Sequence, residues 1–219
     1  MYYEPGKTEH GLSYDPFKSC VIPRPIGWIS TLSRDGIHNL APFSQFQMLN
    51  FRPPYVLFSA GQNTRGHRKD TVVNAEQTGE FVWNMATYEL RDAVNKSAEE
   101  VPPEIDEFEI ACVTKAPSRL VKPCRVAESP VQFECAYHQT VRLPGQGVIG
   151  TFDIVFGRVI AIHIQDDVIG ADGKLDVLKI RPIARLGYHD YTSIESVFEM
   201  IIPGNNRLVL AGMEGRSSS

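Results

Sequence analysis

Two long segments of β-strand type between residues 131 and 165 constrain the fold of this chain more than any other feature. In residues 131–143 apolar side chains mostly occupy the odd positions and polar side chains the even positions, a period of two that predicts a half-buried strand. Residues 151–165 form a second run that is rich in β-branched residues. Gly157 interrupts this run and predicts a bulge or bend of the kind that closes barrels.

Shorter strand-like segments fill the N-terminal half. Residues 25–33 and 37–48 flank a short loop that ends in Gly36, whose conformational freedom suits a β-hairpin. Residues 55–60 and 80–86 are apolar runs of aromatic and β-branched type, which predicts two buried core strands.

Three short helices are predicted between these strands. The first would be capped by Asp70 and stopped by Gly79. The second would start at Thr87, and the third at Asp106, which has Glu109 at the spacing of a capping box. Many short strands with few helices favour one closed antiparallel β-barrel with peripheral helices over a parallel sheet.

The composition excludes several classes of function. Of the 219 residues, 42% are hydrophobic and 22% charged, as in a globular domain that can bury a core. A formal net charge of −4 provides no basic surface for phosphodiester backbones, so we predict no nucleic-acid partner. The N-terminus lacks the regions of a signal peptide, and no stretch approaches the ~18 apolar residues of a membrane span. We expect a cytoplasmic protein with no membrane partner.

Several motifs have a structural explanation. Residues 145–150 match G-x-G-x-x-G, but strand-like residues follow where a dinucleotide fingerprint needs a helix, so we predict a hairpin loop. His163 with two following aspartates could hold a metal, but a strand end entering a charged turn is commoner, and no metal site is predicted. Residues 214–219 are expected to be a disordered tail. The widely spaced cysteines predict free thiols: Cys20, Cys112, Cys124 and Cys135.

Small and hydroxyl residues end or interrupt three of the N-terminal strands, which would bring backbone amides and hydroxyls together in a manner that suits a flat polar heterocycle. The basic segment 65–69 directly precedes the first helix, where cationic side chains and unpaired helix amides can hold a phosphate. A solvated basic loop with an ordinary helix cap explains the same residues, and composition alone does not decide between the two.

The order of several motifs resembles the flavin reductase-like family of FMN-binding split-barrel proteins. These motifs are PRPIGWIST, NLAPFSQF, KDT, TGEFVWN and RPIARLGYHDY, within residues 12–195. The resemblance implies a mainly β, antiparallel split β-barrel with a few short peripheral helices, which forms a homodimer and binds FMN near the dimer interface. Residues 1–195 would form the FMN-binding domain and residues 196–219 a C-terminal arm and tail.

The resemblance also implies site residues. The flavin ring and ribityl chain would be lined by Ser30, Thr31, Ala41, Pro42, Phe43 and Ser44. Lys69 and Thr71 would hold the phosphate, with help from Ser59 and Arg65. Asn74 would touch the cofactor unless it is a solvent-facing helix residue. His189 and Tyr191 would approach the flavin edge, from the same or the other subunit, and are the candidate catalytic residues. Trp28 is expected to pack in the barrel.

The function implied by the resemblance is an NADH- or NADPH-dependent flavin reductase, which transfers a hydride to flavin N5 and supplies a partner oxygenase. Two alternatives stay open: a tightly FMN-bound oxidoreductase that acts on another small-molecule substrate, and a non-catalytic flavin-binding protein. The number of basic residues in segment 65–69 also leaves FAD possible, because it carries a second phosphate.

Overall fold

The computed structural model describes residues 1–216, and within them the chain is mainly β. Twelve strands form: β1 (Arg24–Pro25), β2 (Gly27–Leu32), β3 (His38–Phe43), β4 (Phe46–Phe51), β5 (Pro54–Gly61), β6 (Glu80–Met85), β7 (Lys115–Ala116), β8 (Arg125–Val126), β9 (Val131–Leu143), β10 (Phe152–Ile164), β11 (Ile183–Gly187) and β12 (Asp190–Ser193). Five α-helices accompany them: α1 (Asp70–Thr78), α2 (Arg91–Lys96), α3 (Glu107–Ala111), α4 (Val177–Ile180) and α5 (Arg207–Met213).

A seven-stranded antiparallel sheet in the order β3-β2-β6-β9-β10-β5-β4 forms the body of the molecule. Strands β1, β11 and β12 form a three-stranded sheet, and β7 pairs with β8. The two long strands predicted first, β9 and β10, are neighbours at the middle of the large sheet. A mainly β, antiparallel split-barrel architecture with few short helices is thus confirmed.

The edges of the large sheet are strands that follow each other in the chain. Only Ser44 and Gln45 separate β3 at one edge from β4 at the other. Three residue steps span at most about 11 Å, so the sheet must curl to bring its two edges together. In the part of the chain that the structure describes, no hydrogen-bonded ladder joins β3 to β4. The expectation of a closed barrel is therefore wrong, and the barrel is open along this seam.

Two apolar clusters lie on opposite faces of the curled sheet. The barrel interior is built around Phe58, Phe81 and Val155, all fully buried. The second cluster covers the other face, where Trp28 and Leu40 pack against Phe108 of α3. Trp28 is fully buried and donates from Nε1 to the hydroxyl of Ser97 at 2.9 Å, so it belongs to this outer cluster rather than to the barrel interior.

Gly157 is the position in β10 that faces the ring of Phe81 in the barrel interior. The β9/β10 register shifts between Phe156 and Gly157, which confirms the predicted irregularity. A Cβ atom at residue 157 would lie 2.2 Å from the ring of Phe81. The absent side chain therefore makes room for a core aromatic ring as well as for the bend.

Three local predictions need correction. Lys69, not Asp70, is the N-cap of α1, and Asp70 is the first helical residue, although Gly79 ends the helix with φ 77° as expected. Helix α2 begins at Arg91 rather than at Thr87. The even positions of β9 are not all exposed, since Gln132 and Glu134 are buried.

The loop over residues 117–123 covers the carboxylate of Glu134. The carboxylate of Glu134 accepts the backbone N–H groups of Arg119, Leu120 and Val121 and contacts His163 Nε2 at 2.5 Å. His163 thus pairs with a carboxylate that lies 29 positions earlier, rather than with the aspartates that follow it. Residues 145–150 form a loop between β9 and β10, as predicted.

Residues 194–206 run without strand or helix before α5, and the last residues of the expected tail, 217–219, lie outside the described part. None of the helices within residues 1–216 has the length and apolar character needed to cross a membrane. All four cysteines carry free thiols. The division at residue 195 stays a prediction.

Candidate functional site

A narrow cleft of about 90 Å³ lies where β3, the start of α1 and the segment after α2 meet. Its walls carry both polar side chains and main-chain groups. The lining residues are Asn39, Ala41, Pro42, Phe43, Asn63, Lys69, Asp70, Thr71, residues 97–101 and Glu107.

A buried hydrogen-bond network forms the floor of this cleft. The side chain of Asn39 donates to Glu107 at 2.9 Å and accepts the hydroxyl protons of Thr31, at 3.2 Å, and Thr71, at 2.6 Å. Asn74 donates to the hydroxyl of Thr31 at 3.2 Å, and Glu107 also accepts the N–H of Leu40 at 3.0 Å. The side-chain amide of Asn39 therefore orients the hydroxyl groups of both Thr31 and Thr71.

The carboxyl groups of the cleft are perturbed by burial. Glu107 is only 6% exposed, and burial raises its pKa to about 7 although three N–H donors, those of Leu40, Glu107 itself and Asn39, act in the opposite direction. Burial also raises the pKa of Asp70. Near neutral pH, Glu107 is therefore partly uncharged, which reduces its repulsion of an anionic ligand.

The loop before α1 forms a cradle for an anion. The Asn63 side chain accepts the N–H groups of Arg65 and His67 and thereby organises the turn. Thr64 then donates its N–H, at 3.0 Å, and its hydroxyl, at 2.7 Å, to the carboxylate of Glu100, and Lys69 Nζ lies 3.7 Å from the same carboxylate. We call Thr64 and Lys69 the anion cradle; in this structure the Glu100 carboxylate is its anion.

Arg68, in contrast, has a structural role. Its guanidinium binds both oxygens of Glu76, at 2.8 and 2.6 Å, and the nearly buried Asp153 at 2.8 Å. These bonds tie α1 to β10, and they lower the pKa of Glu76. The basic segment is thus divided: Arg68 binds neighbouring carboxylates, while Lys69 faces the cleft.

The structure brings some of the predicted flavin residues together. Five line the cleft: Ala41, Pro42, Phe43, Lys69 and Thr71. Thr31 and Asn74 lie behind the wall, joined to it through Asn39. The Thr71 hydroxyl gives its proton to Asn39, so toward a ligand it can act only as an acceptor.

Four predicted residues lie elsewhere. The Ser30 hydroxyl donates to the carbonyl of Cys124 at 2.6 Å on the opposite face of β2 from Thr31. Ser59 alternates with the buried Phe58 and faces away from the barrel interior. Ser44 lies in the link between β3 and β4, and Arg65 is an exposed loop residue. None of the four lines the cleft.

His189 and Tyr191 line a second, larger cleft of about 830 Å³. Its walls come from β11, β12, α2 and the start of the C-terminal arm, and include Tyr88 and Ile194. The two clefts adjoin consecutive stretches of chain, because α2 lines the larger one and residues 97–101 line the smaller one. Within one copy of the chain, His189 and Tyr191 are therefore not in the cleft with Lys69 and Thr71.

Sequence reasoning missed the residues that organise the smaller cleft. Asn39 stands at the start of the NLAPFSQF motif, which marked the segment but not its first side chain. Glu107 directly follows Asp106, the N-cap of α3. Acidic residues are common at the start of a helix, so its type and position gave no reason to expect a role in the cleft. Glu100 reaches Thr64 across 36 positions, a contact for which the sequence holds no local signal.

The donors of the anion cradle, which adjoins the smaller cleft through Lys69, fit the phosphate of a flavin nucleotide. A hydroxyl, a main-chain N–H and an ammonium group already converge on one carboxylate, and a phosphate accepts the same kinds of bond. Residues 41–43 line the same cleft as Lys69.

Comparison with known proteins gives one family. The model described as a flavin reductase like domain matches residues 19–190. An uncharacterized protein of Aquifex aeolicus is 38% identical over 181 residues, which are 83% of this chain and 89% of the relative.

Two solved structures illustrate the fold. Nitrilotriacetate monooxygenase component B from Bacillus cereus superposes with a TM-score of 0.83 at 28% identity, over 91% of this chain and 98% of that one. An FMN-binding protein from Thermus thermophilus with bound p-hydroxybenzaldehyde superposes with a TM-score of 0.69 at 15% identity, over 91% of this chain and 99% of that one.

Proposed function

Because the chain belongs to the flavin reductase-like family, we propose that it is an FMN-binding oxidoreductase that passes electrons from NADH or NADPH to flavin. The observation that carries this proposal is the cleft, where five predicted flavin residues adjoin an anion cradle. FMN is favoured over FAD because the cradle offers donors for one anionic group. The free thiols suit the reducing cytoplasm.

In this proposal the chain binds and orients the cofactor. Thr64 and Lys69 would hold the phosphate, and residues 41–43 would contact the rest of the cofactor. The Thr71 hydroxyl donates its proton to Asn39, so its oxygen would accept a hydrogen bond from an N–H of the ring or a hydroxyl of the ribityl chain. When bound, FMN would accept a hydride at N5 and link a two-electron donor to an acceptor. The contribution of the protein is then mainly positioning.

A second copy of the chain is part of the proposal. His189 and Tyr191 line a different cleft from Lys69 in one copy, so a catalytic role at the flavin edge requires them to come from the other subunit of a homodimer. The similarity to a monooxygenase component supports an oxygenase partner that consumes the reduced flavin.

The larger cleft favours a second candidate function. Its volume of about 830 Å³ lies within the range of small-molecule sites, and His189 and Tyr191 supply polar groups there. A protein of the same fold holds p-hydroxybenzaldehyde. A tightly FMN-bound enzyme acting on another small molecule would use this cleft for its substrate.

Absorption spectroscopy of the purified protein distinguishes these functions. We expect one flavin per chain and rapid bleaching on anaerobic addition of NADH or NADPH. A bound flavin that neither nicotinamide bleaches would support the second candidate. A protein that binds no added flavin would contradict both.

Substitution of Lys69 tests the assignment of the phosphate. Lys69→Met should weaken FMN binding about tenfold through loss of a charged partner, and riboflavin, which lacks the phosphate, should bind unchanged. Lys174→Met removes the same charge from the exposed turn at residues 171–174 and serves as the control. Fluorescence titration of the wild type and both variants, each with FMN and with riboflavin, gives the six affinities. Equal losses for FMN and riboflavin would show that Lys69 does not contact the phosphate.

A further inference from the structure

The anion cradle already holds an anion that belongs to the chain itself. Glu100 accepts the N–H and the hydroxyl of Thr64, and Lys69 Nζ is its ion-pair partner. These bonds lower the pKa of Glu100, with the Thr64 N–H as the largest cause. The carboxylate therefore uses the donors that the proposed function assigns to the flavin phosphate.

The segment that carries Glu100 also narrows the cleft. Residues 97–101 form one wall, and the remaining volume of about 90 Å³ is well below the roughly 300 Å³ at which ligand pockets begin. A flavin nucleotide is larger than this volume, and residues 97–101 are the wall that faces β3 and α1 across the cleft.

Glu100 provides the bonds that keep the segment in place over the cradle. Among the described residues, every hydrogen bond or ion pair between residues 98–101 and the loop 63–69 ends on the Glu100 carboxylate. At its start the segment is anchored by Ser97, which is buried and accepts the Trp28 Nε1 proton. Residues 97–101 are thus anchored at Ser97 and held at Glu100. The bonds at Glu100 end on a carboxylate, and its donors can also bind another anion.

We propose that Glu100 is an internal competitor of the flavin phosphate, whose carboxylate closes the cleft until the phosphate displaces it from Thr64 and Lys69. This inference rests on the proposed function. A phosphate carries a charge of about −1.5 to −2 at pH 7 and three acceptor oxygens, so it competes well against one carboxylate. The apparent affinity equals the intrinsic affinity multiplied by the fraction of molecules in which the cleft is open. Glu100 thereby lowers the affinity for FMN by slowing its association.

Stopped-flow quenching of FMN fluorescence tests the proposal with Glu100→Gln and the matched control Glu104→Gln. Glu104 is an exposed carboxylate in the same loop that does not line the cleft. We expect the association rate constant to rise several-fold in E100Q, the scale of an exposed charged pair, because glutamine keeps an acceptor oxygen but not the charge. The dissociation rate constant should stay unchanged, as should both rate constants in E104Q.

Hydrogen exchange gives a second readout in the ligand-free protein. The amide of Thr64 should exchange faster in E100Q than in the wild type, because its acceptor is weakened. An equal acceleration of association in both variants, an effect confined to dissociation, or an unchanged Thr64 exchange rate would overturn the inference while FMN binding upholds the proposed function. Absence of FMN binding in all three proteins would overturn both.

Discussion

At the scale of single residues, the direction of proton donation around Asn39 limits what the cleft can bind. Because the Asn39 side chain donates to Glu107, its oxygen faces Thr31 and Thr71 and accepts both hydroxyl protons. Thr71 can then offer only a lone pair to a ligand. A phosphate, which accepts hydrogen bonds, would therefore bind at the anion cradle. Thr71 would accept a hydrogen bond from a ring N–H or a ribityl hydroxyl.

Glu107 should make folding stability depend on pH. Its carboxyl has a pKa of about 7 in the fold against 4.5 for the unperturbed group, so between these values the folded chain binds more protons than the unfolded chain. The stability that Glu107 contributes is therefore present below pH 4.5 and is lost as the pH rises through 7.

Glu107→Gln tests this dependence. Relative to this variant, the wild type should lose up to about 3 kcal/mol of unfolding free energy between pH 4.5 and 8. Urea denaturation of both proteins across this range measures the difference. A constant difference would show that the carboxyl keeps the same pKa in both states.

At the scale of elements, ion pairs of Arg68 connect helix α1 to strand β10. Arg68, just before α1, binds Asp153 of β10, whose side chain is only 4% exposed, and Glu76 within α1. A buried carboxylate needs such a partner. This link holds the helix against the strand and leaves the adjacent Lys69 free to face the cleft.

Gly157 should tolerate no side chain. In Gly157→Ala the new Cβ would overlap the Phe81 ring, so we expect a loss of about 1–3 kcal/mol in unfolding free energy from overpacking, or more if the ring cannot shift. Gly79→Ala is the control, because its left-handed backbone is strained by a side chain but no atom lies within 4 Å of the new Cβ. Urea denaturation of both variants should give the larger loss for G157A. The reverse order would contradict the packing role of residue 157.

The elements could be predicted from sequence where the pattern is local. The period of two placed β9 correctly, Gly79 marked the end of α1, and the apolar run at residues 80–86 gave β6. The burial of Glu134 could not be predicted, because the loop that covers it is a separate segment whose position depends on tertiary packing. The same holds for the cleft: the motifs marked residues 41–43 and 69–71, whereas Glu100 and Glu107 reach it through long-range contacts.

At the scale of the whole molecule, the separation of the two clefts makes the proposed activity depend on assembly. Lys69 and His189 line different clefts, so the proposed function, in which both act on one flavin, needs two copies of the chain. We expect the rate of FMN reduction per chain to fall when dilution dissociates the dimer, and sedimentation analysis over the same concentrations should show the monomer. A rate per chain that stays constant through dissociation would show that one copy suffices.

The open seam between β3 and β4 gives the barrel an unusual mechanical property. In a closed barrel, widening the interior requires breaking interstrand hydrogen bonds, each worth about 1 kcal/mol. Here no ladder within residues 1–216 joins the two edges. Ser44 and Gln45 link them along the chain, and the Phe43 ring of β3 packs across the gap against Phe58 of β5, with ring centroids 5.1 Å apart. Since β3 also forms a wall of the smaller cleft, a change in the width of this seam would cost side-chain packing rather than an interstrand ladder.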